Sequence, residues 1–153
     1  MLDKLLTGEF INLNIECSTW KEAIMEGAKP LLEKEFIDKK YIDAIFQNFE
    51  EIGPYMVIAP RIVLSHARPE KGVKKLAMSM ITLKTPIKFG NELNDPVKLV
   101  VTLAASDNDT HLQALIDLMD LFTDIKDMNV IFSSDNKKEV IEIIKRHSNI
   151  NSA

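Results

Sequence analysis

The sequence predicts an α/β fold in which a mixed β-sheet is flanked by helices on both sides. Stretches with helical periodicity lie before and after a centre of β-branched segments that are apolar almost without interruption. Strands of that kind are buried on both faces, which requires a helical layer on each side of the sheet. Some neighbouring strand segments are joined by connections too short for a parallel crossover, so the sheet must include antiparallel pairs. With 153 residues, 46% hydrophobic and 27% charged, the chain has room for one domain with its own core. That single domain is expected over residues 1–147, with 148–153 as a polar tail.

Phe10 to Ile15 alternates, with Ile11, Leu13 and Ile15 on one side, the two-residue period of a half-buried strand. Thr19-Trp20-Lys21-Glu22 has the form of a capping box, in which the hydroxyl and the carboxylate each satisfy a free backbone N–H. It opens a helix on which Trp20, Ile24, Ala28, Leu31 and Leu32 recur at helical spacing. Asp38 caps a second helix, whose stripe of Tyr41 or Ile42, Ile45, Phe46, Phe49 and Ile52 stops at Gly53-Pro54. Met56 to Leu64, Leu76 to Leu83 and Leu99 to Ala105 then read as buried strands. Asp107 or Asp109 is expected to cap a further helix with Leu112, Leu115, Ile116, Met119 and Phe122 on its inner face. Asn129 to Phe132 reads as a short strand, Asp135 to Arg146 as a last amphipathic helix, and the tail from Ser148 as frayed.

Charge and composition exclude several function classes. Lys+Arg number 19 against 23 Asp+Glu, a net charge of −4, so no excess of positive charge attracts phosphate backbones and nucleic acid is not an expected partner. The longest apolar stretches, Val97 to Ala105 and Met56 to Ala59, fall short of the roughly 20 residues of a membrane helix. The segment MLDKLLTGEF has no continuous apolar signal region, and the single Cys17 makes no internal disulfide. A cytoplasmic location is expected. The sequence leaves open whether copies associate into a homo-oligomer.

Few residues are available for chemistry. His66 follows the apolar run Val57 to Leu64, where a strand gives way to Ser65-His66-Ala67-Arg68-Pro69-Glu70-Lys71-Gly72. A neutral imidazole there can attack phosphorus, and the Arg68 guanidinium can pair with the oxygens of a transferred anionic group. Taken alone, the fragment fits an ordinary loop histidine, with Arg68 a solvated surface charge, better than it fits a site. His111 lies in the first turn of the helix after the buried strand Leu99 to Ala105, beside amides that favour a bound anion. If the two preceding strands run the same way, His66 and His111 meet at one rim, where open α/β sheets gather their active sites. His147 stands beside Lys145 and Arg146 as a cation at a helix C-terminus and is assigned no function. Cys17 lacks a glycine-rich amide cradle and reads as a small, partly buried side chain.

Neither metal nor cofactor is expected. No HExxH or CxxC spacing occurs, and the P-loop, G-x-G-x-x-G and G-x-S-x-G patterns are absent. A metal-dependent hydrolase would need His66 and His111 to converge with Asp107 or Asp109.

At His66-Ala67-Arg68-Pro69-Glu70 the chain resembles the IIA phosphocarrier domains of the mannitol and fructose type in the bacterial sugar phosphotransferase system, and within them the ascorbate-specific branch. The likeness extends through Ser18 to Ile24, Gly53-Pro54-Tyr55, Gly72-Val73, Phe89-Gly90, Asn94-Asp95-Pro96-Val97, and Ala104 to Asp109 running into His111-Leu112-Gln113-Ala114-Leu115. The resemblance implies that His66 accepts a phosphoryl group from the phosphorylated carrier HPr and passes it to a cysteine of a IIB component. The sugar is then phosphorylated as it enters through a membrane component, IIC, which this chain meets only indirectly. His111 is implied as the second active-site histidine and Arg68 as a further phosphoryl-binding residue. The chain departs from the family at Ser65, where proline is usual; serine restores a backbone N–H and frees φ, which either loosens the histidine loop or offers the phosphoryl oxygens another donor. The resemblance also admits a regulatory IIA-like module controlled by phosphorylation. Tyr55, Met56 and Val73 are candidates for the rim of the site, and Asp107, Asp109 and Gln113 for orienting its imidazoles.

Overall fold

Thr19 and Glu22 cap the first long helix much as the sequence predicts. The Thr19 hydroxyl accepts from the Glu22 N–H at 3.2 Å, and the Glu22 carboxylate accepts from Ser18, one residue earlier than in a standard box, at 2.9 Å. The computed structural model describes residues 1–106 and 111–148. In chain order its helices are α1 (Leu2–Leu5), α2 (Trp20–Glu33), α3 (Lys39–Ile52), α4 (Leu112–Thr123), α5 (Ile125–Ser133) and α6 (Lys137–Arg146). Its strands are β1 (Ile11–Ile15), β2 (Val57–Ala59), β3 (Ile62–Ser65), β4 (Ala77–Ile87) and β5 (Val97–Ala104). None of these helices is long and apolar enough to cross a membrane.

The strands form one mixed sheet in the order β1-β4-β5-β3-β2. β1 runs parallel to β4 and β3 parallel to β5, while the β4–β5 and β2–β3 pairs are antiparallel. Helices cover both faces, as expected. Val63, Ile81 and Val100 point toward α2 and α3, against Ile24, Leu31, Ile42 and Ile45. Leu64, Met80, Leu99 and Val101 point the other way, against Leu118 and Leu121 of α4, Ile131 of α5 and Ile144 of α6. Gly27 lets α2 lie close on the sheet: a Cβ there would come within 2.9 Å of Thr102 Oγ1 and 3.0 Å of Val100 Cγ1. The freed space admits the Ser79 hydroxyl, which donates to the Gly27 carbonyl.

Four expectations are corrected. Met56 to Leu64 is not one strand but the tight β2–β3 pair, turned at Arg61, whose φ of 69° lies in the left-handed region. Asn129 to Phe132 is not a strand but part of α5. The Asp124 carboxylate caps that helix by accepting from the Asp127 N–H at 3.0 Å, and Met128 and Ile131 bury one helical face. The inner face of α4 is also different in part: of the expected residues, Leu115 and Phe122 pack against the core. Ala114, Asp117, Leu118 and Leu121 are buried, whereas Leu112, Ile116 and Met119 are exposed. Asp117 turns inward because it has partners there: its carboxylate accepts from the Leu2 N–H at 3.3 Å and lies 3.8 Å from the terminal amine. Ser148 is held rather than frayed, accepting from the Asp3 N–H and donating to the Ile144 carbonyl. The predicted caps Asp107 and Asp109 lie outside the described residues.

Candidate functional site at the β3 and β5 rim

The parallel pairing of β3 with β5, in the register Ser65 to Thr102, opens the carboxyl ends of both strands at one edge of the sheet. His66 leaves β3 at this edge. β5 ends at Ala104, and the chain re-enters the described structure at His111, which takes the N-cap position of α4. The condition for the two histidines to share a rim is therefore met. Between them lies an open cleft of about 700 Å³, lined by His66, Arg68 and His111 together with Tyr41, Tyr55 and Leu103.

His66 is held in a defined tautomer. Its Nδ1 lies 2.8 Å from the Leu64 carbonyl oxygen. A carbonyl only accepts, so Nδ1 carries a proton, and in the neutral ring Nε2 is the nitrogen with the free lone pair. The Tyr55 ring packs edge-on to the imidazole, with centroids 6.1 Å apart at 79°. The following loop turns at Pro69–Lys71 and docks on the start of α3. Gly72 makes this contact possible: its φ is 123°, a Cβ would lie 3.2 Å from the Tyr41 backbone nitrogen, and its carbonyl accepts from the Asp38 N–H at 2.8 Å.

Beneath the cleft, Tyr41 is wholly buried, and its hydroxyl accepts from the Ala67 N–H at 3.0 Å and donates to the Leu103 carbonyl at 2.6 Å. Burial pushes its phenol up to about 12, against the opposing hydrogen bond from Ala67, so the hydroxyl stays protonated. The sequence reading treated Tyr41 as part of an apolar stripe. The signal it offered was a single hydroxyl in an otherwise aliphatic and phenylalanine face.

Ser65 is placed differently from expectation. The alternation of β3 turns its side chain to the same sheet face as Val63, where it is fully buried, and its Oγ has no hydrogen-bond partner; it does not line the cleft. Of the other rim candidates, Tyr55 lines the cleft, Met56 is completely buried and Val73 packs against the core. Gln113 donates to the Asp117 carboxylate at 2.9 Å. Cys17 is buried, and burial followed by the charges of Glu26 and Glu22 raises its thiol pKa.

His147 was read as a cation at a helix end, but the structure buries it among three aspartates. Its Nδ1 meets Asp120 at 2.6 Å and its Nε2 meets Asp127 at 2.8 Å, with Asp124 3.5 Å away. Arg146 reaches Asp127 at 2.7 Å. Among the described residues, Asp124, Asp127 and His147 are the group whose ligand atoms converge closely enough to hold a metal. That group includes neither His66 nor His111, and the acidic partners a hydrolase would need, Asp107 and Asp109, are outside the described residues.

Residues 4–147 match the family described as phosphoenolpyruvate-dependent sugar phosphotransferase system, EIIA 2. Proteins named ascorbate-specific PTS system EIIA component, from Salmonella typhi and Escherichia coli strain K12, are 38% and 37% identical over 145 residues, covering 94% of each chain. The solution structure of the cryptic mannitol-specific enzyme IIA of Escherichia coli superimposes with a TM-score of 0.85 at 32% identity, covering 95% of this chain and 98% of that one. Enzyme IIA of the Escherichia coli mannitol system, solved in complex with phosphorylated enzyme IIB, shares the fold with a TM-score of 0.80 at 23% identity, covering 93% and 99%.

Proposed function

We propose, from the premise that this chain belongs to the EIIA 2 family of the phosphoenolpyruvate-dependent sugar phosphotransferase system, that His66 is the residue on which it carries a phosphoryl group. As an EIIA component the protein is a phosphotransferase. The observation that carries the proposal is the bond from His66 Nδ1 to the Leu64 carbonyl, which supports Nε2 as the attacking atom in a residue that lines an open cleft.

The donor is phosphorylated HPr. His66 Nε2 attacks phosphorus; the new N–P bond forms as the bond between phosphorus and the donor breaks, and its electron pair leaves with the donor group. The phosphorylated ring of His66 is cationic while Nδ1 keeps its proton, and the Leu64 carbonyl stabilises that charge. A cysteine thiolate of IIB then attacks phosphorus, an S–P bond forms, and neutral His66 is the leaving group. Arg68 and His111 supply donors for the phosphoryl oxygens, and the α4 N-terminus adds its dipole. Ser65, buried and absent from the cleft lining, serves the strand rather than the phosphoryl group.

Both donor and acceptor are proteins, and the surroundings of the cleft suit protein docking. Exposed Ile52 and Tyr55 line one side, and exposed Leu112, Ile116 and Met119 continue from His111 along α4. The names of the relatives favour an ascorbate-like sugar as the substrate of the system. Exchange with HPr and IIB would take place in the cytoplasm, with the membrane component IIC reached only through IIB.

Intact-mass spectrometry after incubation with phosphoenolpyruvate and the general carriers tests this. A gain on the order of 80 Da, the formula mass of one phosphoryl group, is expected in wild type and absent in His66→Ala. Addition of an ascorbate-type IIB protein should discharge it. Full labelling of His66→Ala would overturn the assignment, and labelling without discharge would favour the phosphorylation-controlled regulatory module.

A further inference from the structure

Tyr41 is joined to both histidine-bearing segments through a single atom. Ala67, whose N–H its hydroxyl accepts, separates His66 from Arg68; Leu103, whose carbonyl receives its proton, is the penultimate residue of β5, the strand that leads toward His111. The Ala67 carbonyl also lies 3.3 Å away, but the one phenolic proton goes to the nearer Leu103 oxygen. Filling the core at this position would need only a hydrocarbon side chain, as at the neighbouring stripe positions Ile42, Ile45 and Phe49. A buried hydroxyl is costly unless bonded, and this one is bonded to backbone on both sides of the cleft floor.

We infer that Tyr41 is a positioning residue for phosphoryl transfer: its hydroxyl fixes the His66–Arg68 segment relative to the end of β5. The inference rests on His66 being the phosphoryl acceptor. Transfer between proteins depends on the reacting atoms being in line, and a displacement of about 1 Å at such a site is worth roughly a hundredfold in rate. α3 supplies the anchor from a third element, so neither histidine segment needs to be rigid by itself.

The test compares the full-length wild type with Tyr41→Phe, and with Ser79→Ala as a control that also loses a buried hydroxyl bonded to backbone, to the Gly27 carbonyl beneath α2. Without any donor present, amide exchange at Ala67 should accelerate about tenfold in Tyr41→Phe, the effect of losing one hydrogen bond, and stay unchanged in Ser79→Ala. The balance of His66 ring tautomers, read by nitrogen NMR, should shift in the same variant only. With phospho-HPr as donor, kcat should fall about ten- to a hundredfold in Tyr41→Phe while KM stays within about twofold, because the docking surface is intact. Unchanged Ala67 exchange, or an equal loss of rate in Ser79→Ala, overturns the inference. If wild type and His66→Ala are alike in taking no phosphoryl group, the underlying assignment of His66 fails; a labelled wild type with an unimpaired Tyr41→Phe refutes Tyr41 alone. Should Tyr41→Phe not fold, the wild-type Tyr41 hydroxyl proton supplies the readout. It should exchange slowly and change shift when His66 is phosphorylated, and a resonance indifferent to phosphorylation overturns the proposal.

Discussion

His147 ties three helices together at the residue scale: it belongs to the turn after α6, Asp120 to α4, and Asp124 and Asp127 to the α4–α5 corner. Burial pulls its pKa down, but the hydrogen bonds and charges of Asp120 and Asp127 outweigh burial and hold it above its ordinary 6.5. The His147 bond depresses Asp127 below its ordinary 3.8, against burial and with help from Arg146. A raised histidine stabilises fully below its unfolded value and loses that contribution as pH rises through the folded value. A depressed carboxylate stabilises above its unfolded value and loses its contribution as pH falls through the folded value. The clamp is therefore strongest between about pH 4 and 6.5. Thermal melts should show His147→Gln most destabilised near pH 6 and approaching wild type in alkaline solution; a difference that grows with pH would contradict the clamp. Ser65→Ala removes an orphaned buried hydroxyl and should fall within about 1 kcal/mol of wild type, on the stabilising side, with the phosphorylation rate unchanged. The place of His66 and Arg68 at the cleft was legible because both stand in one five-residue segment directly after a strand. His147 was not, because its partners stand 20 to 27 positions away in the chain.

At the scale of single elements, α4 is apolar on two faces, and hydrophobic periodicity cannot choose between them. The choice is made by Asp117, whose carboxylate meets the backbone of α1 and the terminal amine, a contact between the chain start and residue 117 that no local window contains. Its consequence is the outward stripe of Leu112, Ile116 and Met119. Ile116→Lys should leave the melting transition within the roughly 0.5 kcal/mol expected of a surface change. It should raise KM for a phosphorylated protein donor severalfold; an unaltered KM in steady-state transfer assays would remove the stripe from the docking surface. The misreading of Asn129 to Phe132 has a similar origin. Val130, Ile131 and Phe132 favour strands, but the Asp124 cap and the burial of Met128 and Ile131 on one helical face override that preference. The turn at Arg61 was hidden for the opposite reason, since a non-glycine residue with positive φ leaves no mark in composition.

Across the whole molecule, the layered α/β arrangement was legible from the buried strands and the helical stripes on either side of them. The shared rim was legible only as a condition on strand direction, and the parallel β3–β5 pair satisfies it. Between these neighbours the chain runs through β4 and then the turn at residues 91–94, where Leu93 is 88% exposed. A backbone cut between Glu92 and Leu93 would thus divide the protein into two pieces holding one rim histidine each. Neither piece alone should take a phosphoryl group, and mixing them should restore labelling only as β5 docks between β3 and β4; labelling of the first piece by itself would show that the rim is dispensable. The sheet order makes this carrier a natural split reporter, in which recovered phosphorylation counts reassembled molecules.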